Sequence, residues 1–104
     1  MKQEPLISVI LVNYNGYDDT RECVRSLLAC DYRNIRICIV DNASSKNIVE
    51  YDDVIKEDRC DIVYLKNNIG FAGGNNVGIE YSKKYNPDYY LILNLFQSFR
   101  LFLF

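Results

Sequence analysis

The chain has 104 residues, 49% of them hydrophobic and 25% charged, with a formal net charge of −2. That length allows one domain with a single real core, and the composition excludes a disordered chain. Acids and bases are interspersed along the sequence, so no electrostatic footprint for nucleic acid or an anionic membrane exists.

Met1-Lys2-Gln3-Glu4-Pro5 leads directly into an apolar run, without the basic, apolar and small-residue regions of a signal peptide. Residues 6–12 (Leu-Ile-Ser-Val-Ile-Leu-Val) are nearly continuous and rich in β-branched side chains. This pattern predicts a strand buried on both faces of a parallel sheet. Asn15-Gly16 ends it, and Asp18 and Asp19 supply first-turn acids for a helix to about Ala29. Cys23, Val24, Leu27 and Leu28 lie on one face of that helix.

Residues 35–40 form the second predicted strand, followed by Asp41-Asn42-Ala43-Ser44-Ser45. Ser44-Ser45 opens a weaker predicted helix around residues 48–56, and residues 61–65 give a short third strand. Lys66-Asn67-Asn68-Ile69-Gly70 reads as a turn. A helix then runs from Phe71 to about Tyr85, where Asn86-Pro87-Asp88 stops it. Residues 89–93 make the fourth strand. This alternation predicts a Rossmann-like α/β domain, with a mostly parallel sheet and helices on both faces. Right-handed crossovers on both sides of the first strand give the expected order 3-2-1-4.

Four cysteines, Cys23, Cys30, Cys38 and Cys60, lack the close spacing of a zinc or redox motif, and there is no histidine. Three fall at apolar positions, so the expectation is reduced core thiols in a cytosolic protein. The apolar C-terminal run is interrupted by Gln97, Ser98 and Arg100 and is shorter than the ~20 residues that span a bilayer.

In a parallel sheet the carboxyl ends of the strands share one edge, and ligands bind in the crevice outside it. Asp41 stands at such an end, where a carboxylate can grip ribose hydroxyls or a base N–H; it suits a turn cap equally well. Asn13-Tyr14-Asn15-Gly16 is not a dinucleotide loop, which disfavours NAD and FAD. It offers an aromatic plane and two amides to a base, or simply a turn. Gly70, Gly73, Gly74 and Gly78 match neither a Walker loop nor a dinucleotide fingerprint. They let a helix start close to the sheet or to a ligand, with Asn75 and Asn76 in its first turn.

Taken together, Val-Asn-Tyr-Asn-Gly (12–16), Val-Asp-Asn-Ala-Ser (40–44) and Asn-Asn-Ile-Gly-Phe-Ala-Gly-Gly-Asn-Asn-Val-Gly-Ile (67–79) each follow a predicted strand. Over residues 6–94 this resembles the N-terminal half of the family 2 glycosyltransferases, most closely the bacterial rhamnosyltransferase type that builds surface polysaccharides. The resemblance implies a GT-A fold and a nucleoside diphosphate sugar donor of the UDP or dTDP type. It implies that Tyr14 and the backbone at Val12 lie against the base. It also implies that Asp41 contacts base or ribose and that Gly70 and Asn75 close over the nucleoside. The acceptor would be a saccharide or a lipid-linked one, and the setting the cytoplasm or the inner face of the membrane.

The same resemblance implies Mg²⁺ or Mn²⁺ bound through an acidic motif after the fourth strand. Asn94 stands where that motif begins, and no Asp or Glu follows it in residues 95–104. No catalytic or metal-ligating residue is therefore assigned. The expected organisation is a nucleotide-sugar-binding half-domain, residues 1–94, with an aberrant apolar tail, residues 95–104, from truncation or a frameshift. The alternatives for the tail are a true edge strand or helix, or a membrane-seeking segment. The chain as given is expected to bind nucleotide without transferring sugar; the alternative is a non-catalytic binding module or a structural remnant.

Overall fold

The computed structural model describes residues 4–45 and 57–94, and the backbone of 100–103. The elements are β1 (Ile7–Asn13), α1 (Tyr17–Ala29), β2 (Ile35–Asp41), β3 (Cys60–Tyr64), α2 (Gly70–Ser82), β4 (Tyr89–Asn94) and β5 (Arg100–Leu103). The sheet order is β3-β2-β1-β4-β5. The β1–β2, β1–β4 and β2–β3 pairs are parallel, which reproduces the expected 3-2-1-4 order. The helix expected around residues 48–56 lies outside the described residues.

Side chains of successive strand residues point to opposite faces, and β1 shows what this does to an unbroken apolar run. Val9 and Leu11 join Ile35, Ile37 and Ile39 of β2 under α1, with Tyr17, Cys23 and Val24. Ile10 joins Cys38 and Val40 on the other face, under Val77 and Ile79 of α2. Both central strands are therefore buried on both sides, and helices cover both faces.

Helix α2 lies close to the sheet because two of its residues lack a side chain. A Cβ on Gly78 would stand 2.6 Å from Ile10 Cγ2 and 3.1 Å from Val40 Cγ2. One on Gly74 would meet both Val12 methyls at 3.0 Å. The helix begins at Gly70, so Asn75 and Asn76 fall in its second turn, one turn later than expected. Lys83–Tyr85 continues α2 as a 3-10 turn, and Asn86, at φ 52°, ends it before Pro87.

At the amino end of the sheet, Asp88 is a structural tie. Its Oδ2 accepts from the Leu6 amide at 2.7 Å, and the Asp88 and Tyr89 amides both donate to the Leu6 carbonyl. Another tie joins the start of β2 to the end of α2, where the Arg36 guanidinium lies 3.7 Å from the Tyr85 ring centroid.

The C-terminal segment departs from the four-strand expectation. Arg100–Leu103 pairs antiparallel with β4, in the register Leu91↔Leu103 to Asn94↔Arg100. An Arg-Leu-Phe-Leu run has the residue types that suit a strand, and β4 otherwise presents an unpaired edge.

Candidate functional site

The strands β1, β2 and β4 all deliver an amide or carboxylate at their carboxyl ends: Asn13, Asp41 and Asn94. The register sets Asn13 directly beside Asp41. Asn13 is 1% exposed and Asp41 6%, so their polar atoms need internal partners. Asn13 Nδ2 donates to Asp41 Oδ1 at 3.1 Å and to Ser44 Oγ at 3.3 Å. Asn13 Oδ1 accepts from the buried Thr20 hydroxyl at 2.6 Å. The Ser44 amide donates to Asp41 Oδ2 at 3.0 Å. One side chain thus links β1, α1, β2 and the loop after β2.

That loop carries a strained residue. Ala43 sits at φ 62°, a left-handed conformation that costs a non-glycine residue about 1–2 kcal/mol. The conformation is held from both ends. The Asn42 amide donates to the Asn13 carbonyl at 2.8 Å. Ser44 Oγ accepts from the Asn15 amide at 2.9 Å. Strain of this kind is maintained where the surrounding structure over-determines it.

Asn42 fixes the entrance to α2. Its Oδ1 accepts from the Ile69 amide at 2.9 Å and its Nδ2 donates to the Gly70 carbonyl at 3.0 Å. Asn68 Oδ1 accepts from the Gly70 amide at 2.9 Å. Gly70 itself has φ 82° with nothing within 4 Å of a hypothetical Cβ. Its glycine is required by backbone conformation rather than by space.

Between these segments opens a pocket of about 360 Å³. The end of β1 contributes Val12, Asn13 and Tyr14, and the start of α1 contributes Asp19 and Thr20. Asn42, Asn68, Gly70 and Phe71 line the side toward α2, and Asn94 comes from β4. Two aromatic rings are open to solvent here, Tyr14 at 56% and Phe71 at 40% exposure. Exposed rings in a cleft with a few amides can stack on a planar base and hydrogen-bond its edge.

Of the residues expected at the site, Val12, Tyr14 and Gly70 line this pocket. Asp41 and Asn75 do not, although both are buried. The Asp41 carboxylate is engaged by Asn13 and the Ser44 amide, which is the turn-capping arrangement its sequence context also allowed. Asn75 is 5% exposed, and its Oδ1 has no hydrogen-bond partner. Sequence reasoning missed Asn42, Phe71 and Asp19. Asn42 stands next to Asp41 and Phe71 next to Gly70, so adjacency was the available signal. Asp19 looked like an ordinary first-turn acid.

Among the described residues, no group of three or more His, Cys, Asp or Glu is placed to hold a metal. The pocket supplies one carboxylate, that of Asp19, together with the Asn94 amide. Mg²⁺ takes carboxylate, phosphate and water oxygens in octahedral geometry, and this donor set does not provide such a site. No helix among the described residues is long and apolar enough to cross a membrane.

Comparison with known proteins agrees with this architecture. GlyG, a glycosyltransferase of Streptococcus pneumoniae serotype 4, is 35% identical over 80 residues, covering 75% of this chain and 27% of its own. An Escherichia coli protein, UDP-Glc:alpha-D-GlcNAc-diphosphoundecaprenol beta-1,3-glucosyltransferase WfaP, is also 35% identical over 80 residues, covering 75% of this chain and 31% of its own. The chain thus spans about three-tenths of the length of these two relatives. The mannosyltransferase PcManGT of Pyrobaculum calidifontis, solved with GDP-Man and Mn²⁺, superimposes with a TM-score of 0.75 at 17% identity. That match covers 89% of this chain and 28% of the other, and it shows a shared fold. The sequence profile of glycosyl transferase family 2 matches residues 8–94. The chain belongs to that family.

Proposed function

We propose that this chain is the donor-binding part of a glycosyltransferase that moves a sugar from a nucleoside diphosphate to a saccharide or lipid-linked acceptor in surface polysaccharide synthesis. The observation that carries this reading is the pocket at the carboxyl edge of the sheet, where Tyr14 and Phe71 are open to solvent beside Asn94. The names of relatives support it. The Escherichia coli protein is named for a UDP-linked donor and a diphosphoundecaprenol acceptor. In this reading the intact enzyme works in the cytoplasm or at the inner face of the membrane.

In this reading the nucleotide is of the UDP or dTDP type, Tyr14 stacks on the base and the backbone at Val12 borders it. Gly70 and Asn75 belong to the segment that closes over the nucleoside. Asp41 acts on the ribose or base either directly or by holding Asn13 in place. The chain by itself binds nucleotide without turnover. The single carboxylate among the described lining residues supports this reading for the segment in hand.

Calorimetric titration with UDP and dTDP, with and without Mn²⁺, tests the proposal. Weak saturable binding is expected, insensitive to Mn²⁺ and weakened about tenfold or more in Tyr14→Ala and in Asp41→Ala, the loss of about one stacking or charge-assisted contact. Absence of binding by either nucleotide would overturn the reading. Sugar transfer by the chain, or Mn²⁺-enhanced binding, would overturn the non-catalytic part of it.

A further inference from the structure

The pocket at the carboxyl edge of the sheet is lined by few charged groups. Among the described residues that line it there is no Lys or Arg, and Asp19 is the one charged side chain. Asp19 is exposed and sits in the first turn of α1. No hydrogen bond or ion pair joins it to another described residue. The other polar side chains are largely committed to each other: Asn42 to Ile69 and Gly70, and Asn13 to Thr20, Asp41 and Ser44. What the described lining presents is therefore two aromatic rings and one negative charge.

Resting on the nucleotide reading above, we propose that Asp19 is a specificity-determining residue that admits the uncharged nucleoside portion and turns the diphosphate away from the pocket. A carboxylate facing a phosphate a few ångströms away is repulsive unless a cation intervenes, and no cationic side chain among the described residues lines the pocket to offset it. The aromatic rings carry no such penalty for a neutral base. Diphosphate and nucleoside thus take different environments, the first in solvent at the mouth and the second inside.

The test compares uridine with UDP, and thymidine with dTDP, by calorimetry without divalent cations, on the whole chain. Salt is varied between ~0.01 M and ~1 M, over which the Debye length falls from ~30 Å to ~3 Å. In the wild type the UDP:uridine affinity ratio should rise with salt, because screening removes a repulsion. Asp19→Asn should raise that ratio about threefold to tenfold at low salt, and Asp19→Glu should leave it near the wild-type value. Asp18→Asn makes the same change in net charge from outside the lining and should move the ratio less.

A wild-type ratio that falls with salt would reveal a cationic contact and overturn the proposal; this measurement needs no variant to fold. A ratio unmoved by Asp19→Asn, or moved equally by Asp18→Asn, would also overturn it while leaving the nucleotide reading intact. If neither nucleoside and neither nucleotide binds, both readings fail together.

Discussion

Asn13 and Asp41 stand level in the β1–β2 register and are joined side chain to side chain at 3.1 Å, both almost fully buried. The contact ties the loop after β2 to the loop after β1, two segments whose residues line the pocket. The Thr20 hydroxyl completes the arrangement from α1. Buried polar groups linked this way are costly to break one at a time, because each remaining partner stays desolvated.

Asn13→Leu should therefore be severely destabilising, although the side chain keeps a similar size. It strands the Thr20 hydroxyl and removes a donor to Asp41, for a loss of about 2–6 kcal/mol at roughly 1–3 kcal/mol for each of the two groups. Thr20→Val should cost less, since Asn13 Nδ2 retains both of its acceptors. Urea unfolding of the two variants measures this order. Equal midpoints for wild type and Asn13→Leu would show that the network contributes nothing.

Gly78→Ala should be destabilising by about 1–3 kcal/mol, the usual range for overpacking, despite alanine being the better helix former. A Cβ would stand 2.6 Å from Ile10 Cγ2, closer than a non-bonded carbon pair tolerates. In an Ile10→Ala background, which lacks the Cγ2 methyl that the new Cβ would meet, the same substitution should cost less. The double-mutant cycle reads the coupling directly. A stabilised Gly78→Ala would mean that α2 stands farther from the sheet.

The strands were legible from the sequence because their apolar runs are long and the Asn-Gly and Asn-Pro breaks are sharp. Tyr17 and Gly70 begin their helices within one residue of the expected positions. The site was only partly legible. Tyr14 and Gly70 line the pocket, but a single sequence cannot separate an aspartate aimed at a ligand from one that holds its neighbours; the Asp41 carboxylate bonds Asn13 and the Ser44 amide, contacts that only the fold brings together. Asn42 was opaque for a related reason. Its role depends on Ile69 and Gly70, far along the chain, which only the fold brings within reach.

Burial pushes the thiols of Cys23, Cys38 and Cys60 up from an ordinary 9.0 to about 11. The unfolded chain releases these protons near pH 9 while the folded chain holds them, so the unfolded state is favoured as pH rises. The thiol contribution to stability is fully present below pH 9 and is lost progressively between about 9 and 11. The loss should be much smaller when the three residues are replaced by alanine or valine of matching fit. At pH 8, a thiol reagent should modify the exposed Cys30 rapidly and the three buried, free cysteines only as the chain opens. Four rapid equivalents would contradict this burial.

The pairing of Arg100–Leu103 with β4 sets an expectation for the C-terminal segment opposite to that of a tail lying outside the fold. Deleting residues 95–104 removes backbone hydrogen bonds worth about 0.5–1.5 kcal/mol each and leaves β4 as a bare edge. The thermal midpoint should fall by several degrees, since ~1 kcal/mol corresponds to about 4–8 °C in a domain of this size. Self-association should increase as well, because an exposed apolar strand edge is a template for pairing with another chain. Scanning calorimetry and light scattering on the full and shortened chains separate the two outcomes. A midpoint that stays level or rises, with less scattering, would mean that β5 adds nothing to the sheet and that the apolar segment is a liability. Arg100 offers a finer probe, since it pairs with Asn94 in the ladder. Arg100→Pro removes an amide donor that the antiparallel register can use, so it should lower the midpoint toward that of the deletion, whereas Arg100→Lys should not.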